Sequence, residues 1–408
     1  MASTCKPILI YGGQLHTGEE TIENGYIKVI NQSIVELGEM KQLSTTEGYT
    51  AIKVPSSYKV IPGFIDIHIH GTNGADTMDA TITSLDKLAS SLPSEGTTSF
   101  LATTITQESK AIERALLNVS EYIDSHQRQG KAEILGVHLE GPFINPNKAG
   151  AQPISYICEP DLEQFKKWKI VSGNKIRLVT LAPELAGGLE MVRFLKENNI
   201  TVSVGHSNAT YKEMKSAIHS GVTSVTHLYN QMSELHHREP GVIGAAFLHS
   251  ELMAEIIVDG NHVGEEMVKL AFQQMGKERL ILITDSMRAK SLEDGQYDLG
   301  GQVVFVKDGR ASLPDRTLAG SVLRFADAVK NIQLFTGCTL DDAIVMASAN
   351  PAKLLNIYDK KGSLTVGKDA DIVILNDRLD VEMTFCKGKL SFDAKVRKDS
   401  IDENYRSK

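Results

Sequence analysis

Eight short, apolar, β-rich segments alternate with longer helix-compatible stretches through the middle of this 408-residue sequence, and few folds accommodate that rhythm. The segments are FIDIHIH (64–70), TTSFLATTI (97–105), ILGVHLEG (134–141), IRLVTLAP (176–183), TVSVGHS (201–207), SVTHLYN (224–230), AEIIVDG (254–260) and LILITDS (280–286). Between them, stretches such as EMVRFLKENN (190–199) and KEMKSAIHSG (212–221) carry apolar residues at helical spacing. The second ends on glycine, as helices often do. Eight strands that return through helices predict a (β/α)8 barrel of the TIM type, or as an alternative an open doubly wound sheet. The open sheet calls for a glycine-rich phosphate loop after its first strand, and this sequence has HIHG there.

The two ends differ from the middle. Residues 7–60 carry short strand-like runs (PILIYGG, GYIKVIN, SIVELGEM) broken by glycine and polar turns, and residues 366–395 repeat that character in DADIVILN and VEMTFCKGKL. Nothing else in the chain would pair with either end, so the termini are expected to meet in a small β-sandwich, residues 1–60 with 366–408, beside a barrel of residues 61–365. A chain of this length suits one large core plus a smaller one. The net charge of −8 argues against nucleic acid or an anionic membrane as the main partner. Cys5, Cys158, Cys338 and Cys386 stand apart with no CxxC pair, which disfavours a disulfide framework or a zinc ribbon and fits a reducing compartment. The opening MASTCKPILIYGG has no basic leader with a long apolar stretch, and no run of 18 apolar residues occurs, so the expected location is the cytoplasm.

Five of the eight segments end on residues able to bind a metal or move a proton: His68 and His70, Glu140, His206, His227 and Asp285. Strand residues two apart share a face, so His68 and His70 can both point into the barrel mouth. The C-terminal ends of the strands form the face on which barrel enzymes place their sites. Each residue has an ordinary alternative: a lone buried histidine is usually a hydrogen-bonded core residue, and Glu140 or Asp285 could cap the helix that follows. Six such residues on one face are better explained together, as a metal centre. Histidines with carboxylates suit zinc, iron or manganese.

In this order, PGFIDIHIHG, HLEGPF, VGHS, THLYN and ITDSM resemble the amidohydrolase superfamily and, more narrowly, its bacterial N-acetylglucosamine-6-phosphate deacetylases. HLEGPFINPNKAGAQ (138–152), THLYNQMSELHHREPGVIG (226–244), VDGNHV (258–263) and TLAGS (317–321) extend the resemblance over nearly the whole chain. PGFIDIHIHG and GKDADIVIL (367–375) are common to the superfamily, whereas HLEGPF and the HLYN…REPG block are specific to the deacetylases. The resemblance implies the same barrel with a terminal β-sandwich. It also implies hydrolysis of N-acetylglucosamine 6-phosphate to glucosamine 6-phosphate and acetate, in amino-sugar catabolism and cell-wall sugar recycling.

The resemblance assigns roles as well. Glu140, His206 and His227 match the metal ligands found throughout the family, and His68 with His70 match a second-site pair. Two divalent cations per subunit are therefore implied, bridged by Glu140, since no lysine stands at the end of the fourth segment. Asp285 would act as general base and then general acid. His138, two residues before Glu140, reads as orienting the glutamate or the water. Phosphate contacts are implied from Asn230, the backbone at Gln231 and Arg238, with Arg238 contributed across a homodimer. Ala151, His262, Leu318, Ala319, Gly320 and Ser321 match sugar-binding positions. Taken without the resemblance, Arg238 reads as a surface partner of Glu234 or Glu239. Gln231 departs from the alanine of many members, which a backbone contact tolerates. Two other readings carry less weight. A dihydroorotase-like cyclic-amide hydrolase would want the missing lysine, and a non-catalytic scaffold would have lost some of the six residues.

Overall fold

The computed structural model describes residues 6–396, so Cys5 and the outermost parts of the expected sandwich, residues 1–5 and 397–408, lie outside the described residues. The eight segments form eight parallel strands hydrogen-bonded in sequence order: Phe64–Ile69, Thr97–Thr104, Glu133–Glu140, Ile176–Leu181, Thr201–Val204, Ser224–Val225, Met253–Ile257 and Leu280–Ile283. Below they are barrel strands one to eight. Strand eight returns to strand one through an Ile69–Ser286 bridge, with the Asp285 N–H donating to the His68 carbonyl at 2.8 Å and the His70 N–H to the Ser286 carbonyl at 3.0 Å. The sheet is therefore closed, and the open alternative is excluded. Asp66, fully buried, reinforces the seam: its carboxylate accepts from the His68 N–H at 3.3 Å and from the Thr284 hydroxyl at 2.6 Å.

The strands are near-continuous apolar runs because both faces are covered, the inner by the barrel core and the outer by helices. Strand one and strand two are buried at every position. The helix Tyr211–Ser220 illustrates the local code. Thr210 and Glu213 form a reciprocal capping box at its start, Met214 and Ala217 face the barrel, and Gly221 closes it at a backbone angle of φ 134°.

The termini meet as expected. One sheet orders Ser33–Glu39, Gly25–Ile30, Ile8–Tyr11 and Thr50–Lys53. The other joins N-terminal Thr21–Ile22, Gln14–His16 and Lys59–Pro62 to C-terminal Ile372–Leu375, Val381–Cys386 and Lys389–Asp393. Ile10, Ile27, Val60, Ile372, Ile374 and Phe385 share the core between them. Lys361, nearly buried, ties the sandwich to the barrel by ion pairs to Asp371 at 2.6 Å and to Glu133 of strand three at 2.8 Å.

One element was not anticipated. Between strand eight and the helix Phe325–Thr336, a three-stranded meander (Gly295–Leu299, Gln302–Lys307, Arg310–Ser312) packs Leu299, Val304 and Val306 against Ile105, Met287 and Ala319. Its turns are Gly300-Gly301 and Asp308-Gly309, all four residues at positive φ, the hairpin chemistry that two-residue turns require. Among the described residues Cys158, Cys338 and Cys386 are unpaired, and no helix is long and apolar enough to cross a membrane.

Candidate metal centre and its pocket

The C-terminal mouth of the barrel gathers two groups of three ligand atoms, each within 4.8 Å of one another: His68, His70 and Asp285, and Glu140, His206 and His227. Glu140 stands between them. Its Oε1 lies 3.1 Å from His206 Nε2 and 3.3 Å from His227 Nε2, and its Oε2 lies 3.3 Å from His70 Nε2. Asp285 Oδ1 is 3.3 Å from His70 Nε2 and 3.5 Å from His68 Nε2.

Only His68 and Glu140 lie within barrel strands. His206, His227 and Asp285 follow short strands and adopt left-handed backbone angles, φ 48°, 31° and 47°. Such angles are uncommon for residues other than glycine and cluster at functional sites. Here the left-handed turn ends the strand and brings the side chain into the mouth. Glu184 supports the loop after strand five, accepting from the Ser207 hydroxyl at 2.7 Å and the Asn208 N–H at 2.7 Å.

The donor set fits a metal on its own terms. The His206 Nδ1–H meets the Lys148 carbonyl at 2.8 Å, which leaves the Nε2 of the neutral ring as a bare lone pair. That lone pair faces a carboxylate oxygen and lies 3.1 Å from His227 Nε2. A cation shared by these atoms would satisfy them together. His68 repeats the pattern: Nδ1 lies 2.9 Å from Glu255 Oε2, and Nε2 is buried without a hydrogen-bond partner. The electrostatics agree. Burial opposes charge on His68, yet Asp285, Glu140 and Glu255 hold its pKa well above the imidazole range. Burial is likewise outweighed at His70, raised to about 9 by hydrogen bonds to Asp285 and Glu140. Burial would raise Glu140 and Asp285, but His68 and its neighbours hold both below their ordinary values. This is a cavity built for positive charge.

The pocket above these ligands is lined by His70, Glu140, Ala151, His206, His227, Asn230, Gln231, His262, Asp285, Leu318 and Gly320, together with Ile105, Gly150, Gln152 and Leu299. Most expected site residues therefore converge. Others stand behind the lining. Ala319 packs in the core under the meander, and Ser321 donates its N–H to the Asp285 carbonyl at 2.7 Å, steadying that turn. Of the two groups that His138 is expected to orient, Glu140 or the water, it makes no hydrogen bond to Glu140. Its ring packs edge-on against His68, 4.5 Å between centroids, and its nitrogens meet the Thr180 hydroxyl at 2.7 Å and Thr103 at 3.4 Å. Burial and the adjacent His68 push its pKa well below the usual imidazole value, so it stays neutral beneath the site. Arg238 is exposed on the His236–Glu239 turn, where its Nη1 lies 2.8 Å from His237 Nε2. The alternative, a surface pair with Glu234 or Glu239, does not form among the described residues; Glu239 Oε1 instead accepts the Tyr211 N–H at 2.6 Å.

Three residues escaped the sequence reading. Gln152 has its amide orientation set by the Thr106 N–H donating to Oε1 at 2.8 Å, so Nε2 donates to Glu140 Oε2 at 2.7 Å. Asp259 accepts from His262 Nδ1 at 2.7 Å and, with burial outweighed, raises the pKa of that imidazole. Glu255 holds His68. Its signal was present in AEIIVDG: a carboxylate inside an apolar strand must have a buried partner.

Comparison with known proteins extends these observations. The model of the amidohydrolase family matches residues 59–391. The chain is 47% identical to N-acetylglucosamine-6-phosphate deacetylase of Bacillus subtilis, over 95% of this chain and 98% of that one. It is 39% identical to N-acetylgalactosamine-6-phosphate deacetylase of Escherichia coli O157:H7, over 81% and 87%. Among solved structures, N-acetyl-D-glucosamine-6-phosphate deacetylase of Mycobacterium smegmatis, as a mutant in complex with N-acetyl-D-glucosamine-6-phosphate, superposes with a TM-score of 0.89 at 28% identity, covering 95% of this chain and 100% of that one. The Thermotoga maritima deacetylase superposes with a TM-score of 0.86 at 33% identity and the same coverage.

Proposed function

The chain belongs to the amidohydrolase family, and from that premise we propose that it hydrolyses N-acetylglucosamine 6-phosphate to glucosamine 6-phosphate and acetate. The observation that carries the reading is the pair of ligand groups joined through Glu140 at the floor of a polar pocket. An amide is a weak electrophile, water a weak nucleophile, and an amine leaves poorly unless protonated. Glu140, His206 and His227 would hold one divalent cation and His68, His70 and Asp285 a second, and a cation bound there would acidify water and polarise the acetyl carbonyl. The residues do the rest. Asp285 takes the proton of the attacking water and delivers it to the sugar nitrogen as the C–N bond breaks. His262, its pKa raised against burial by Asp259, borders the space for the sugar with Ala151, Leu318 and Gly320. Asn230 and the backbone at Gln231, both at the pocket lining, would contact the phosphate, and Arg238 would complete its contacts from the second chain of a homodimer. The barrel of residues 61–365 carries this chemistry, the sandwich of 1–60 with 366–408 supports it, and the unpaired cysteines suit a reducing cytoplasm.

The deciding experiment is acetate release by the metal-loaded protein from the 6-phosphates of N-acetylglucosamine and N-acetylgalactosamine. Preferred turnover of the first supports the reading; release from neither would end it. Replacing His68 with Gln and His70 with Asn should bring bound metal towards one equivalent per chain while leaving residual activity. Two tightly held equivalents in that variant would contradict the second site.

Arg238→Ala tests the phosphate assignment. A charge-assisted hydrogen bond contributes about 1.5–3 kcal/mol, so kcat/KM for the phosphorylated substrate should fall roughly 10–100-fold. The low rate on unphosphorylated N-acetylglucosamine should hardly change. Equal losses on both substrates would refute the assignment. Lysine should restore only part, being a point charge where a fork fits. In mixed dimers of Arg238→Ala and Asp285→Asn chains, recovery of activity would place Arg238 in the neighbouring site. No recovery would place it in its own.

A further inference from the structure

Beneath the metal centre, strand seven contributes one carboxylate that the reaction scheme does not use. Glu255 is completely buried, and its Oε2 lies 2.9 Å from His68 Nδ1 and accepts the His227 N–H at 3.3 Å. Its Oε1 has no hydrogen-bond partner among the described residues, and the cationic contact of this carboxylate is the imidazole of His68. Once His68 gives its Nε2 lone pair to a metal its ring is neutral, and a buried charge without compensation is strongly destabilising, so Glu255 then needs the positive charge of the metal itself.

Two physical consequences follow. Taking the His68 Nδ1 proton as donated to Glu255, the ring presents Nε2 as its free ligand atom, and the bond also sets the ring plane toward Glu140 and Asp285. An anion hydrogen-bonded behind an imidazole also makes its other nitrogen a better donor to a metal. The second consequence is charge balance. Glu140, Asp285 and Glu255 place three carboxylates around the centre. One divalent cation leaves that set net negative, and two do not.

We propose that Glu255 is the positioning residue that gives the second cation its place, orienting His68 and adding the negative charge that a second divalent ion balances. The proposal rests on the two-cation reading above. The link of Glu255 to the other group is the His227 main-chain N–H, which the amide oxygen of a glutamine can still accept, while the Nε2 atoms of His206 and His227 face Glu140 and each other. Loss of the Glu255 charge with its acceptor oxygen kept therefore acts on the His68 site and spares the other.

The test strips metal from the full-length protein, titrates it with manganese(II), counts bound equivalents and reads the ion pair as an exchange-coupled electron paramagnetic resonance signal. Wild type should take two equivalents and show coupling. Glu255→Gln keeps the volume and one oxygen acceptor but removes the charge. It should bind the first equivalent as wild type does, bind the second about 10–100-fold more weakly, and lose the coupled signal at concentrations that saturate wild type. Unchanged affinity at both sites overturns the proposal, and so does an equal loss at both, which would mark a general effect on the fold. A single equivalent in wild type overturns the two-cation reading itself and this proposal with it. Should Glu255→Gln not fold, the zinc-loaded wild type decides by proton NMR. A strongly downfield imidazole N–H that disappears in His68→Gln is expected, and its absence overturns the proposal.

Discussion

Asp285→Asn should keep its fold and its metal at the Glu140, His206 and His227 group and lose about 10²–10⁴-fold in kcat, the range that positioned general acid–base groups supply. The substitution keeps shape and backbone and removes the charge that both takes the proton and helps to hold the second cation. Asparagine fills the same volume, and it tolerates the left-handed backbone that Asp285 adopts at φ 47° better than most residues. The seam contacts of residue 285, its N–H to the His68 carbonyl and its carbonyl from the Ser321 N–H, are main-chain bonds and survive. An amide cannot take a proton from water at neutral pH, and one group is asked to serve both half-reactions, so both are slowed. Metal content, circular dichroism and single-turnover acetate release together make the measurement. A variant within a few-fold of wild type would remove Asp285 from proton transfer.

His206→Ala should strip the metal that the reaction requires. The ring contributes one of three ligand atoms in its group and is anchored from behind by the Lys148 carbonyl. Removing an outer partner of a metal ligand typically weakens binding about 10–100-fold, and removing the ligand itself should exceed that. Turnover should fall with occupancy and recover only in part at high metal concentration. A small effect on folding is expected, because the histidine already bears the cost of a positive φ and alanine inherits the same backbone. Elemental analysis after desalting, paired with acetate release, checks the outcome. Wild-type metal content and metal-dependent activity in this variant would rule out the Glu140, His206 and His227 assignment.

Much of the architecture was legible because it is encoded locally. An apolar strand buried on both faces, a glycine after a helix and an HxH pair on one face are each a property of a few neighbouring residues, and repetition eight times determines the barrel. The same holds for the principal site residues: once strand order is sequential, residues at the ends of the segments converge at one mouth wherever the chain places them. The GG and DG turns of the meander at 295–312 are local signals of the same kind, set within a segment that interrupts the strand–helix rhythm.

What sequence could not decide is which distant groups share a proton or a charge. His68 and Glu255 are 187 positions apart, and His138 finds Thr180 42 positions away where Glu140, two residues on, was one expected partner. A strand's side chains share a face at spacing two, but whether two of them bond depends on what the neighbouring strands project between them. The amide of Gln152 likewise has no preferred orientation until the Thr106 N–H selects its oxygen. Sequence by itself determined the barrel, the terminal sandwich and the residues that face the mouth, because periodicity and strand order are short-range. Tertiary structure alone decided the hydrogen-bond partners, the left-handed turns that aim His206, His227 and Asp285, and the buried carboxylate behind His68, because those depend on closure of the barrel.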